Sequence, residues 1–209
     1  MTRNTLLLSI ITILFPAMLW AQAKTSIPSI DIGIKAGANF ATLSGSTWDN
    51  GYKAGFLGGI FAGLHGAKMG VQAEAFFSQT SYTAQGHNFY DGYSAFYNNA
   101  MDSAKNGRFR VSYLSIPVLF EFKPIPFLWI QIGPQYNGVV SVKDVDGLVK
   151  DGKALFKSSD ISGVVGLELK LPLHLSLGAR YVLGLSSMNN LAGAWQQRLF
   201  QVHVGYSFL

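Results

Sequence analysis

The sequence predicts an all-β chain: an eight-stranded antiparallel up-and-down transmembrane β-barrel that follows an N-terminal signal peptide. Three observations point there. Charged residues make up only 13% of the 209 residues and hydrophobic ones 49%, whereas ordinary soluble domains carry about 25% charge. Beyond the N-terminus, apolar residues recur at every second position in segments suited to a tilted β-span of about 9 to 11 residues, and no uninterrupted run approaches the roughly 20 residues of a helical span. The connections between these segments alternate short and long, as periplasmic turns and external loops of such barrels do.

Residues 1–23 read as the signal peptide. Arg3 supplies a short positive start, LLLSIITILFPAMLW an apolar core, and Ala21-Gln22-Ala23 the small-x-small cleavage pattern. An uncleaved anchor is the alternative, and the short core broken by Pro16 counts against it. Residues 24–209 then form one outer-membrane barrel domain, with no boundary that splits it.

The first strand, 30–40, alternates without a miss: Ile30, Ile32, Ile34, Ala36, Ala38 and Phe40 against Asp31, Gly33, Lys35, Gly37 and Asn39. After the polar loop LSGSTWDNGY, the second strand runs over 53–65 with Phe56, Ile60 and Leu64 outward. Gly55, Gly59 and Gly63 face inward, leaving room for larger side chains across a narrow lumen. The turn His65-Gly66-Ala67-Lys68 enters the third strand, 69–82, where Val71, Ala73, Ala75 and Phe77 oppose Gln72, Glu74 and Phe76. Residues 83–109 read as the longest irregular segment.

The clearest hairpin is 110–136, RVSYLSIPVLFEFKPIPFLWIQIGPQY, which supplies strands four and five. Leu114, Ile116, Val118, Phe120 and Phe122 share one face, Ser115, Pro117, Leu119, Glu121 and Lys123 the other. Lys123-Pro124-Ile125-Pro126 breaks the pattern, and Leu128, Ile130, Ile132 and Tyr136 resume it. Pro117 removes a ladder donor, so a bulge is expected there. A polar loop over 141–159 precedes strand six, with Ile161, Val165, Leu167 and Leu169 against Ser162, Glu168 and Lys170. Strand seven sets Leu175, Leu177, Ala179, Tyr181 and Leu183 against Ser176, Gly178 and Arg180. After the loop 186–197, strand eight sets Phe200, Val202, Val204, Tyr206 and Phe208 against Gln201, His203, Gly205 and Ser207.

A soluble lipocalin-like barrel would turn its apolar side in and carry charge outside. Here the polar side is mostly Gly, Ser, Gln and Asn with few charges, which suits a confined interior. Aromatic residues gather at both ends of the apolar side, Phe40, Phe56, Phe77, Tyr136 and Phe200 toward the loops and Phe122, Tyr206 and Phe208 toward the turns, as interfacial girdles do. The expected location is the bacterial outer membrane, with both termini in the periplasm and membrane lipid as a partner. Cysteine is absent, excluding disulfides and thiolate metal sites. The net charge of +5 is scattered and forms no stripe, so no nucleic-acid partner is expected.

Inward charges are the first candidate site. Lys35, Glu74, Glu121, Glu168 and Arg180 fall at similar heights, with Lys123, Lys170 and His203 nearby, and a low-dielectric lumen makes charges costly unless paired. A cross-barrel Glu/Arg/Lys network that closes the pore is expected. It reads either as polar filling or as an acid/base pair or ion path. The second candidate is an external binding loop, HNFYDGYSAFYNNAM, whose Phe89, Tyr90, Tyr93, Phe96 and Tyr97 offer rigid contact area, or fold over the barrel mouth. His65, His87, His174 and His203 match no Ser-His-carboxylate spacing, no nucleophile elbow occurs, and no His pair has metal-ligand spacing, so no catalytic residue, metal or cofactor is assigned. Asp144 to Gly147 begins like a calcium loop but lacks its further ligands.

IGIKAGANFATL, YLSIPVLFEFKP, LSLGARYVLGLSSM and VHVGYSFL together resemble the PorT-like outer-membrane β-barrel proteins of Bacteroidota, over nearly all of 30–209. The Gly33 to Phe40 opening and the Tyr113 to Pro117 segment are the most specific parts. The resemblance implies an eight-stranded barrel and, in one branch, involvement in type IX protein secretion, and it transfers no catalytic residues. The reading is therefore a non-enzymatic envelope structural or interaction protein with envelope or secretion-complex proteins as partners. A lipid A or phospholipid-modifying enzyme and a small-solute pore are the alternatives. The pattern sets no oligomeric state.

Overall fold

The structure, a computed structural model, describes residues 28–189 and 195–209; residues 1–23, read as the signal peptide, lie outside the described residues. Eight strands pair in chain order, β1 Ser29–Ser44, β2 Lys53–His65, β3 Met69–Ala84, β4 Gly107–Ile125, β5 Leu128–Asp144, β6 Ser159–Lys170, β7 Leu175–Gly184 and β8 Gln196–Ser207. Every pairing is antiparallel, and β8 closes on β1 to complete the expected all-β barrel. The segment 83–109 departs from the expected irregular loop. It holds helix α1, Gly86–Tyr93, and two short 3₁₀ turns, and a second one-turn helix, α2, covers Gly152–Leu155.

The direction of the alternation separates a membrane barrel from a lipocalin-like one. On β4, Leu114, Ile116, Val118, Phe120 and Phe122 are 39% to 46% exposed, while Ser115, Leu119 and Glu121 are buried. The oily side faces out all round the wall. It runs from Met69 to Phe77 on β3 and from Leu114 to Phe122 on β4, with neither stretch interrupted by an exposed charge. At ~3.3 Å per residue and a tilt of ~40°, the band is about 20 Å tall before side chains are added, close to the ~25 Å of outer-membrane barrels. A continuous apolar belt of this kind is untenable in water.

The strands outrun the bilayer. β4 has 19 residues, β5 has 17, and β1 and β3 have 16 each, against the ~11 that a tilted span needs. The surplus stands on the loop side as a short tower above the apolar belt.

No bulge forms at Pro117. The pairings Pro117↔Gln135 and Phe120↔Ile132 keep one register, as do Phe76↔Ser115 and Ala73↔Val118 on the other side. The ladder simply lacks a donor there. Register shifts instead occur between Phe122 and Ile125, where Pro124 enters the turn, and between Ser112 and Tyr113. At the second shift the extra residue belongs to β5: Tyr113 pairs with Val139 and Ser112 with Ser141, so Val140 has no partner.

Candidate functional site

The lumen has two storeys. In the turn-side storey, Lys35 on β1, Glu74 on β3, Glu168 on β6 and Arg180 on β7 meet at the barrel axis, all at most 5% exposed. Lys35 Nζ donates to Glu74 Oε1 at 2.8 Å and to Glu168 Oε2 at 2.5 Å. The Arg180 guanidinium forks onto Glu74 at 2.5 and 2.7 Å, gives its Nε–H to Gln131 Oε1 at 2.8 Å, and lies 3.7 Å from Glu168. His203 Nε2 adds a contact to Glu168 at 3.2 Å, and Gln72 donates to Glu74 at 2.7 Å. Each carboxylate thus meets two cations. That geometry offsets the desolvation cost of burying charge, which otherwise exceeds the Coulombic gain.

Glu121 enters this cluster by another route. It makes no direct ion pair with a Lys or Arg among the described residues; it accepts from Gln131 Nε2 at 2.5 Å and pairs with His65 Nε2. His65 stands where β2 meets its turn and continues the odd-numbered inward series of β2, the signal that places it in the lumen. Leu57 and Phe61 belong to that series too and are buried, so the inner face of β2 is not all glycine. Glycines make room for these rings. A Cβ on Gly33 would lie 2.6 Å from the Phe61 ring, and one on Gly63 2.6 Å from the His65 ring.

Below the cluster, the turn-side mouth opens into a cavity of about 510 Å³ lined by Asp31, His65, Lys123, Trp129, Lys170 and His174 among others. Lys170 pairs with Asp31, and Lys123 and Lys170 approach the Trp129 ring at 5.4 and 5.6 Å. His65 Nδ1 is buried without a hydrogen bond, 3.8 Å from Asp31 Oδ2.

The loop-side storey corrects the expected polar interior. Leu43, Tyr82, Phe109, Val111, Tyr113, Val182 and Leu199 point inward from the strands and join loop residues in one buried apolar cluster. Trp48 sits at its centre, with ring centroids 4.8 Å from Trp195, 5.3 Å from Phe89 and 5.6 Å from Phe109. Isolated bridges Trp48↔Ala84, Tyr97↔Val149 and Phe156↔Asn189 lace the long connections into a lid.

Of the two readings of the 87–101 segment, the lid matches the one in which its rings fold over the barrel mouth. Phe89, Tyr93 and Tyr97 are 1%, 6% and 5% exposed, and Tyr90 and Phe96 are half-buried against the same cluster. Five large rings gain more by packing into the tower than by facing water. Apart from Met101, 87% exposed, the outward face of the segment is polar or small, with His87, Asn88, Asp91, Ser94, Asn98 and Asn99 exposed. Trp48 and Trp195 carried no sequence signal, because both lie at loop positions without periodicity.

An outward apolar belt and an inward polar cluster require a membrane around a closed barrel. The family of outer membrane protein β-barrel domains matches residues 20–190. The chain belongs to that family. Its place is accordingly the outer membrane.

Among solved structures, Neisserial surface protein A is similar at 15% identity, covering 86% of this chain and 99% of that one with a TM-score of 0.52. Ail, the attachment invasion locus protein of Yersinia pestis, is similar at 14% identity over 86% and 99%, with a TM-score of 0.49. A comparison with curated proteins gives no significant match.

Among the described residues, the serine hydroxyls nearest His65 are bonded elsewhere. Ser29 Oγ donates to the His65 carbonyl and Ser207 Oγ to Asp31, so neither hydroxyl is bonded to the free nitrogen of His65. His87 and His174 are exposed on α1 and in the turn before β7, apart from the buried His65 and His203.

Proposed function

We propose that the protein is a non-enzymatic, closed outer-membrane barrel that serves as an envelope structural or interaction protein and presents its loop tower to the outside, with both termini in the periplasm. The observation that carries this reading is the filling of both storeys. Lys35, Glu74, Glu168 and Arg180 spend their charge on one another, and the rings around Trp48 occupy the space above them. Groups so consumed can neither bind a solute nor turn over a substrate. What remains to meet a partner is the polar roof of the lid, made of α1 and the loops bridged to it.

The resemblance to PorT-like proteins makes protein-secretion components of the envelope the first partners to seek. The test is crosslinking in native outer membranes followed by purification of the barrel, wild type against a variant with residues 87–105 replaced by a short turn. Envelope proteins captured by the wild type and lost in the variant are expected. A barrel that is always recovered alone would overturn the reading.

A lipid-modifying enzyme is the second reading, favoured by one feature, the His65–Glu121 pair with its open nitrogen beside the turn-side cavity. Deleting the gene and comparing membrane lipids by mass spectrometry decides between them: an unchanged lipid profile is expected, and loss of one acylated or deacylated species would reinstate the enzyme.

A further inference from the structure

Cations gather on the outside of the wall where β2 to β5 leave the apolar belt. Along β3 the outward series Phe77, Gln79, Ser81, Thr83 turns polar, and the register sets Ser81 beside Arg110 and Thr83 beside Arg108. Lys53, at the start of β2, stands on the other side of β3. Lys53, Ser81, Thr83, Arg108 and Arg110 line a groove of about 150 Å³.

Lys143 reaches this face through the bulge at Val140. Below the bulge, even-numbered residues of β5 face out, Ile130, Ile132 and Tyr136 among them. Above it the parity flips, and Ser141, Lys143 and Val145 are the exposed ones. Without the extra residue Lys143 would point toward the apolar lid; with it, Lys143 stands directly opposite Arg110. Re-aiming a side chain is a recurrent use of bulges near sites.

Two of the cations are already neutralised, Lys53 by Asp49 at 2.9 Å and Arg108 by Asp146 at 2.8 Å. Arg110 and Lys143 are exposed and have no acidic partner among the described residues. Like charges directly opposite each other on paired strands repel. An anion between them would turn that repulsion into two attractions, and a guanidinium beside an ammonium and a hydroxyl suits the three oxygens of a phosphate.

The height names its source. Ser81 lies four residues past Phe77, about 13 Å along the strand and ~10 Å along the membrane normal at a tilt of ~40°. That is at the polar headgroup layer, which begins where the ~30 Å hydrocarbon core ends. We infer that Arg110 and Lys143, with Ser81 beside them, clasp a phosphate of a phosphorylated glycolipid in the outer leaflet. This rests on the reading that the loop tower faces outward.

The test uses the full chain in phosphatidylcholine vesicles doped with diphosphoryl lipid A, which is quantified by mass spectrometry on the purified barrel. Retention about 10- to 30-fold higher for wild type than for Arg110→Gln/Lys143→Gln is expected, given the attraction of two surface cations. It should fall with added salt and survive in Arg110→Lys/Lys143→Arg. Equal retention in the Gln variant overturns the site, as does equal retention of dephosphorylated lipid A. Displacement by inorganic phosphate would mark a free-phosphate site, and equal retention of phosphatidylglycerol a general anionic surface; either overturns the glycolipid assignment.

The chain has no cysteine, so Met101→Cys, at a position 87% exposed on the lid, reports orientation separately. Its labelling on intact cells by an impermeant maleimide is expected. Protection from that label would overturn the outward tower and the outer leaflet with it, while the vesicle result would still judge the phosphate clasp alone.

Discussion

Glu74 accepts from Lys35 on one side and from both terminal nitrogens of Arg180 on the other. Glu74→Gln removes the charge that both cations face and leaves them buried with Glu168 as their remaining shared acid. Breaking a buried pair from one side costs about 3–5 kcal/mol, and a lowered urea midpoint for the barrel refolded in phosphatidylcholine vesicles is the expected outcome. Asp49→Asn also removes an ion pair, but Lys53 and Asp49 are 37% and 40% exposed. Under about 1 kcal/mol should be lost there.

Acid should act on the clasp between Arg108 and Asp146. The hydrogen bond from the Arg108 side chain holds the Asp146 carboxyl below its ordinary value. A depressed carboxyl pKa gives stability that is present above the ordinary value and is lost as pH falls through the lowered one. Proteolysis between β5 and β6 by an acid-active protease should therefore speed up as pH drops below about 4. Asp146→Asn should be fast at every pH in the series, and a wild type that stays as slow at low pH as at neutral pH would contradict the link.

At the scale of elements, α1 is held by its rings. Phe89, 1% exposed, touches Trp48, Tyr93 and Phe109 with centroids 5.3, 4.8 and 5.7 Å apart. Phe89→Ala leaves a ring-sized cavity, worth about 3–5 kcal/mol of local stability. Protease cutting within 86–106 should accelerate, while the heat-modifiable gel mobility of the barrel stays unchanged. Loss of both together would mean that lid and wall are one cooperative unit. The strands themselves were legible as period-two runs, because a stave between lipid and lumen sees two solvents on alternate residues. Their ends were not. β4 begins at Gly107 and β5 runs to Asp144, in a tower where the lipid no longer enforces the alternation.

In the proposed closed barrel, the described residues form two plugs in series. The ion-paired storey and the aromatic lid draw on different residues, so removing one leaves the other. A steady open channel is not expected in planar bilayers, either for the intact chain or after 87–105 is replaced by a turn. Ion conductance in the shortened form alone would show that the lower storey does not seal.

The alternation by itself determined the all-β class, the strand count and the side of each strand that meets lipid, because hydrocarbon tolerates no unsatisfied polar group and stamps its demand on every second residue. Tertiary structure decided which inward charges touch. Lys35 and Glu168 are 133 positions apart, and no spacing in the chain encodes that meeting. It also decided between the two readings of the five aromatic rings, exposed contact surface or cover over the mouth, since their burial depended on inward apolar partners on other strands. The side taken by Lys143 was likewise out of reach of the pattern, for one unpaired residue, Val140, resets the parity, and only the pairing of β5 with β4 reveals it.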